Sequence, residues 1–435
     1  MRRLSITLTV TVMLATASIQ LAQQAVPAPS GSFAIEHVTV INVETGTRTP
    51  DQTVVVTGNK IAAVGPAAKT KAPAGARTVD GTGKFLIPGL WDMHVHALRL
   101  MDRGLPLAVY YGLTGIRDMG STIEQVGEAR DKVAKGRVLS PRFYASGPPL
   151  NGTPNRPGFP PGQQVQTVEE AKQIVEKLAA AKVNQVKIHD GLSRDVYFAL
   201  ARESKAHGLP FEGHLPPEVD AIEASNTGQL SEEHMPPMQQ ACVMDKAQLG
   251  RGQPNAPPQT TPIAINQAHC EETIKVLVKN GTWWAPTLGG PGTGNKRVRD
   301  FNLAITKMAY KGGVKMLVGT DWPGGGYSFG RYEGADRGAL DEIIGLVEAG
   351  LTPQDALKTG TTNPVAFFKL QNQLGSVEKG KIADLDLLDG DPLADINNVK
   401  KINAVVLNGR LVDSAERQKI WDAETAARKV PLKTN

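Results

Sequence analysis

From Phe85 to Trp322 the chain repeats one pattern: a short apolar run ends in polar residues, and an amphipathic stretch follows. Eight such runs can be read. They are Phe85–His96, Gly115–Met119, Arg142–Ser146, Gln185–Asp190, Pro210–Leu215, Leu230–Met235, Thr282–Leu288 and Met316–Trp322. Between them, Val168 to Ala181 places Ala171, Ile174, Val175, Leu178 and Ala179 on one helical face, and Ile263 to Val278 and Leu340 to Ala349 behave similarly. Alternating strand and helix builds a parallel sheet. Eight units close into a barrel whose chemistry sits at the C-terminal strand ends. The expected fold class is α/β, a (β/α)8 TIM barrel over residues 89–370.

The flanks read differently. Phe33 to Val43, Thr53 to Thr57 and Ile61 to Val64 are β-like, with Gly58-Asn59 marking a turn. The same texture returns at Ile382–Leu388 and Ile402–Leu407. Residues 26–88 and 371–420 are therefore expected to pair into one small β-sandwich-like domain, leaving 421–435 as a tail. Residues 1–25 read as a secretory signal peptide. Arg2-Arg3 precedes an apolar stretch from Leu4 to Leu14, followed by small residues at Ala15, Ala17, Ala22 and Ala25. That stretch is too short to span a bilayer. A periplasmic or secreted protein is expected, with no membrane association after cleavage.

Charge excludes one class of partner. The 48 Lys+Arg and 43 Asp+Glu are dispersed, with no basic block carrying interleaved aromatics, so nothing favours nucleic acid. The expected partner is a small-molecule or dipeptide substrate, and the sequence leaves homo-oligomer formation open. Export bears on the two cysteines. Cys242 and Cys270 flank a proline-rich loop and can form a disulfide in an oxidising compartment; two unpaired buried thiols are the alternative.

Histidines and acids concentrate at strand ends. His94 and His96 stand two apart on the first run, so both can face the barrel mouth. His214, His234 and Asp321 lie toward the ends of the fifth, sixth and eighth runs, and Lys187 sits within the fourth. Imidazole and carboxylate suit zinc and similar ions. A lysine buried near cations is driven toward the neutral amine. A neutral amine can add carbon dioxide, giving a carbamate whose two oxygens can bridge two metals.

The ordered set His94-x-His96, Lys187, His214, His234 and Asp321 resembles the binuclear type of the amidohydrolase superfamily, in its imidazolonepropionase-like and prolidase-like branch. Further strings match: Leu86-Ile87-Pro88-Gly89-Leu90-Trp91-Asp92-Met93-His94-Val95-His96, Gly319-Thr320-Asp321, Thr361-Thr362-Asn363-Pro364, and Gly380-Lys381-Ile382-Ala383-Asp384-Leu385. Val365 and Asp386 depart from the family pattern. The lysine at position 187 favours the prolidase-like side.

The resemblance implies two divalent metal ions, zinc foremost. His94, His96 and Asp321 would hold the more buried one, and His214 and His234 the more exposed one. Carboxylated Lys187 and a hydroxide would bridge them, with Asp321 as general base. The implied reaction is cleavage of an amide or peptide C–N bond, of dipeptidase, Xaa-Pro or N-acyl amino acid type. Hydrolysis of a cyclic amide, a lactone or a xenobiotic ester is the alternative, and a non-catalytic binding barrel is a remote one. His189 is read either as a substrate contact or as a helix cap. Of Trp283 and Trp284, one can wall the pocket while the other packs the barrel. Tyr327, on a glycine-rich loop, is a further substrate candidate. Arg331, Arg297 and Arg117 are candidate partners for a substrate carboxylate.

Overall fold

The computed structural model describes residues 26–152, 162–249, 261–289, 295–322 and 338–428. The leader, Tyr327, Arg331 and the end of the tail lie outside the described residues.

Both ends of the chain enter one eight-stranded sheet. Ser32–Asn42, Thr47–Thr57, Lys60–Pro66, Arg77–Asp80 and Phe85–Pro88 are joined there by Leu385–Leu388, Ile402–Leu407 and Arg410–Val412. The junction is antiparallel, pairing Leu86 with Leu387 and Ile87 with Asp386. Its apolar side chains, among them Ile35, Val54, Leu86, Leu387 and Val406, form a common core.

The run Phe85–His96 is not one strand but two, divided at Gly89. The Gly89 N–H donates to Asp384 O at 2.8 Å, and a Cβ on Gly89 would lie 2.2 Å from Thr114 Oγ1. Only glycine permits that approach. Phe85–Pro88 goes to the terminal sheet, and Leu90–Val95 opens the parallel series. Asp386 marks the same joint. It is buried, and its Oδ2 accepts the Leu90 N–H at 2.9 Å. Burial drives its pKa well above the carboxylate range. The acid therefore occupies an apolar position by serving the first backbone donor of the next strand.

Eight parallel strands follow the predicted runs: β1 (Leu90–Val95), β2 (Leu113–Asp118), β3 (Arg142–Ala145), β4 (Val186–Ile188), β5 (Phe211–Gly213), β6 (Ser231–Glu233), β7 (Trp283–Ala285) and β8 (Lys315–Met316). The two-residue strands Leu150–Asn151 and Gln163–Gln164 extend the sheet beside β4. Neighbours pair in parallel from β1 to β3 and from β4 to β8. Asn184 bridges β3 and β4, its N–H donating to Ala145 O at 2.8 Å. Beyond β8 the chain runs on beside β1. Met93 N–H donates to Val318 O, Asp321 N–H to His94 O and His96 N–H to Trp322 O, each at 2.7 Å. Backbone hydrogen bonds thus return from the eighth segment to the first.

Local chemistry sets the helix starts. Thr167 and Glu170 exchange side-chain and backbone hydrogen bonds at the head of Val168–Ala180, which buries the predicted Ala171, Ile174, Val175 and Leu178. The helix expected from Ile263 begins later, at Gln267, because the Asn266 side chain accepts the His269 N–H. Trp91, Tyr144, Trp283 and Phe367 pack together in a separate apolar cluster.

Cys242 ends the helix Pro236–Cys242 and is disulfide-bonded to Cys270 in the first turn of Gln267–Asn280. Closing a loop of this length restricts the unfolded chain by about 3–4 kcal/mol in the chain-entropy estimate. Reductant should therefore lower the urea midpoint of the wild type. The Cys242→Ser/Cys270→Ser double variant should unfold at the same urea concentration with or without it. A wild-type midpoint indifferent to reductant would contradict the bond.

Candidate metal centre

The six predicted donors gather at the C-terminal side of β1, β4, β5, β6 and β8, with His94 and Lys187 inside their strands and the others following theirs. His96 Nε2 lies 2.9 Å from Asp321 Oδ1, and His94 Nε2 lies 3.6 Å from the same oxygen. Lys187 Nζ is 3.4 Å from His94 Nε2. The His234 ring sits 4.4 Å from His94 and 4.9 Å from His214, centroid to centroid. His94, His234 and Asp321 offer donor atoms within 4.8 Å of one another, and His189, Asp190 and His214 form a second such group. His234 therefore stands between the two groups, its ring next to both His94 and His214.

Two of these residues need unusual backbone. His234 has φ 65° and Asp321 has φ 60°, left-handed values that β-region strand geometry does not provide. The chain turns sharply at both strand ends and aims the side chains inward. Gly319 assists, since a Cβ there would lie 2.9 Å from His94 Cβ.

Each of four imidazoles is held by its Nδ1. His94 Nδ1 is 2.7 Å from Glu233 Oε2, and His214 Nδ1 is 3.0 Å from Asp190 Oδ1. A carboxylate accepts only, so both Nδ1 atoms carry the proton and both Nε2 atoms keep their lone pair. His189 Nδ1 meets Asn151 Oδ1 at 2.6 Å, and His234 Nδ1 meets Thr287 Oγ1 at 3.1 Å.

Glu233 is itself fixed by a buried ion network. Arg117 Nη2 donates to Glu233 Oε1 at 2.7 Å, while Nη1 donates to Glu212 Oε2 at 2.6 Å and to Ser231 Oγ at 2.9 Å. All three ionic side chains are fully buried. On β1, Asp92 accepts the His94 N–H at 3.1 Å and the Thr320 hydroxyl at 2.6 Å, tying the first strand to the eighth segment.

Burial sets the proton inventory. It pushes His94 well below its ordinary pKa, His214 and His234 to about 3, and His189 to about 4. Burial also lowers Lys187 to about 8. For Asp321 burial acts upward, but the His96 hydrogen bond and the electrostatic pull of the neighbouring His234, His96 and Lys187 outweigh it and hold the acid ionised. Neutral imidazoles with free Nε2 atoms, an ionised carboxylate and an easily deprotonated amine are the donor chemistry that divalent metals need. The residues present fit such ions.

The site-residue expectations need three corrections. Trp284 walls no pocket: it is fully buried, and its Nε1–H donates to His234 O at 2.7 Å, propping the backbone of a donor. Arg117 is unavailable to a substrate because Glu212 and Glu233 hold it. Arg297 donates to Gln248 O at 3.1 Å instead. Sequence reasoning missed Glu233, Asp190, Asn151, Thr287 and Asp92. Only Glu233 left a signal, as an acid directly before a strand-end histidine.

The sequence pattern of the amidohydrolase family matches residues 85–412. The chain belongs to the amidohydrolase family. Among curated relatives, the adenine deaminase of Desulforamulus reducens is 24% identical over 386 residues, covering 87% of this chain but only 57% of that protein. This chain thus spans little more than half of that relative. The ochratoxinase of Aspergillus niger is 23% identical over 395 residues, with 74% and 73% covered. Among solved structures, a candidate prolidase from Bifidobacterium longum superposes with TM-score 0.71 at 25% identity, over 91% of this chain and 99% of its own. The matched segment spans all six positions.

Glu233→Gln should weaken metal binding by roughly 10–100-fold in a chelator competition, because His94 loses the partner that fixes its tautomer. Unchanged affinity would remove Glu233 from that role. Acid should destabilise the metal-free protein. His214 and His234 titrate near 3 when folded and near 6.5 when unfolded. Between those values the unfolded chain binds protons that the folded one refuses, so stability falls as pH drops from about 6.5 toward 3. Thermal melts in chelator across that window should show the decline; a flat profile would contradict it.

Proposed function

We propose that this amidohydrolase is an exported, metal-dependent enzyme that hydrolyses the amide or peptide C–N bond of a small molecule at a centre of two divalent ions. One observation carries the reading: Lys187, fully buried, stands 3.4 Å from His94 Nε2 amid neutral imidazoles and an ionised aspartate. A buried amine in that setting has little use as a salt-bridge partner. It is suited to become a carbamate between two ions. We read the parallel strands as a (β/α)8 barrel over 89–370, and the terminal sheet as a sandwich-like domain from 26–88 and 371–420.

His94, His96 and Asp321 would hold one ion, His214 and His234 the other, and carboxylated Lys187 would lie between them. Bound there, two such ions, zinc foremost, supply Lewis acidity toward the scissile carbonyl and ionise water near neutral pH. The chain's own residues do the rest. Asp321 uses Oδ1 for His96, which leaves Oδ2 to take the proton of attacking water and return it to the leaving nitrogen. Glu233 and Asp190 keep His94 and His214 in the tautomer that presents Nε2.

The likeness to a candidate prolidase supports a dipeptide or N-acyl amino acid substrate. A second reading has the same centre opening a cyclic amide or lactone, or cleaving a xenobiotic ester. The ochratoxinase and adenine deaminase likenesses favour it, since neither name denotes a peptidase. Export rests on the leader-like N-terminus, and the Cys242–Cys270 disulfide fits an oxidising compartment.

Purified protein should carry close to two divalent ions per chain by elemental analysis. Metal-loaded enzyme should cleave members of a dipeptide and N-acyl amino acid library in preference to lactones. Lys187→Ala should lose roughly 100-fold or more in turnover, partly restored by a short carboxylic acid. Asp321→Asn should keep some metal and lose turnover. One ion or none, or full activity in Lys187→Ala, would overturn the binuclear reading.

A further inference from the structure

Among the described residues, a cation close in the chain to His96 has no hydrogen-bond or ion-pair partner. Arg99 stands on the single turn Ala97–Arg99 that directly follows His96. It is half-buried. The turn is held firmly. Asp118 Oδ2 accepts the Leu98 N–H at 2.9 Å, while Asp118 Oδ1 accepts the Ser121 hydroxyl at 2.6 Å and the Gly120 N–H at 3.3 Å. On its other side, the His96 N–H donates to Trp322 O at 2.7 Å.

Arg99 feels the charge of Asp118 and Asp321. Both Asp118 oxygens already accept hydrogen bonds, from Leu98, Ser121 and Gly120, and the Asp321 oxygen nearest the histidines is taken by His96. Among the described residues, the Arg99 guanidinium has no carboxylate within ion-pair distance and no hydrogen-bond acceptor. A partly desolvated cation without an anion is costly, and an arriving carboxylate relieves that cost. The fork of guanidinium donors matches a carboxylate in two parallel hydrogen bonds. Arg117 and Arg297, the other described candidates for a substrate carboxylate, are committed elsewhere.

We propose that Arg99 receives the free carboxylate of the substrate, and that the enzyme prefers amides whose amine half carries that carboxylate, as in N-acyl amino acids and dipeptides. The side of the substrate follows from position. Asp321 delivers the proton to the leaving nitrogen, so the amine half lies against Asp321, whose charge Arg99 feels. This inference rests on the hydrolase reading above, and it deepens that reading by naming the group that selects the substrate.

The test pairs the N-acyl amino acid or dipeptide cleaved fastest by metal-loaded wild type with its C-terminal carboxamide. Arg99→Met should raise KM for the acid by about 10–100-fold, the worth of a charge-assisted pair. It should leave kcat/KM for the carboxamide within about twofold of wild type, because no ion pair is lost there. Arg99→Lys, which keeps the charge without the fork, should fall between. An unchanged KM for the acid, or equal losses on acid and carboxamide, overturns the assignment. Calorimetric titration of metal-loaded protein with an N-acetyl amino acid separates this proposal from the parent reading. Wild type should bind it more tightly than Arg99→Met even if no amide is cleaved. Equal binding, or none in either protein, overturns the role of Arg99, whereas absent cleavage with the binding difference intact overturns only the hydrolase reading.

Discussion

Arg117 is the charge on which the interior of the parallel strands depends. It reaches from β2 to two carboxylates, Glu212 on β5 and Glu233 on β6, in a space with no exposed surface. Burial raises the Glu212 pKa even with the arginine present. Two carboxylates and one guanidinium, bound also to Ser231 Oγ and Met93 O, leave most of the donors and acceptors satisfied. Breaking such a cluster by removing one member strands a buried charge, which typically costs about 3–5 kcal/mol. The same network ends on His94, so the rigidity of the interior reaches the first donor of the candidate centre.

The strained backbone at His234 and Asp321 belongs to the same design. Non-glycine residues in the left-handed region cost of order 1–3 kcal/mol each and persist where their surroundings over-determine them. Here the surroundings are identifiable. Trp284 holds the His234 carbonyl, Thr287 meets the His234 ring, and the Asp321 N–H is bonded to His94 O. These supports are neutral hydrogen bonds at the strand ends, whereas the charged supports lie deeper, so the donors are gripped from two levels.

Much of this arrangement was legible in the sequence because it is periodic or ordered. The alternation of runs located β1 to β8 but not the short parallel strands Leu150–Asn151, Gln163–Gln164 and Arg77–Asp80, and the order of His94, His96, Lys187, His214, His234 and Asp321 along the runs was enough to group them. What escaped depends on contacts that spacing does not encode. Glu233 and Arg117 are 116 positions apart, and Asn151 reaches His189 from 38 positions away. The break at Gly89 was hidden because both halves of Phe85–His96 are apolar and extended. They differ only in which sheet they join. Trp283 and Trp284 could not be told apart because an aromatic residue near a strand end looks the same whether it faces a pocket or the packed interior. Asp386 looked like a departure from pattern because its partner is a backbone amide, which no side-chain pattern records.

The junction at Gly89 also governs the order in which the molecule can be completed. A chain made from its N-terminus presents Phe85–Pro88 with one edge unpaired, because the strand that covers it, Leu385–Leu388, comes some three hundred residues later. Until then the edge is an open template for foreign strands, and pairing of such high sequence separation forms slowly. The parallel strands can assemble in the interval, since their contacts are mostly between successive units. The terminal sheet is therefore the last part to close, and its closure, through Asp386 to the Leu90 amide, seats the strand that carries His94.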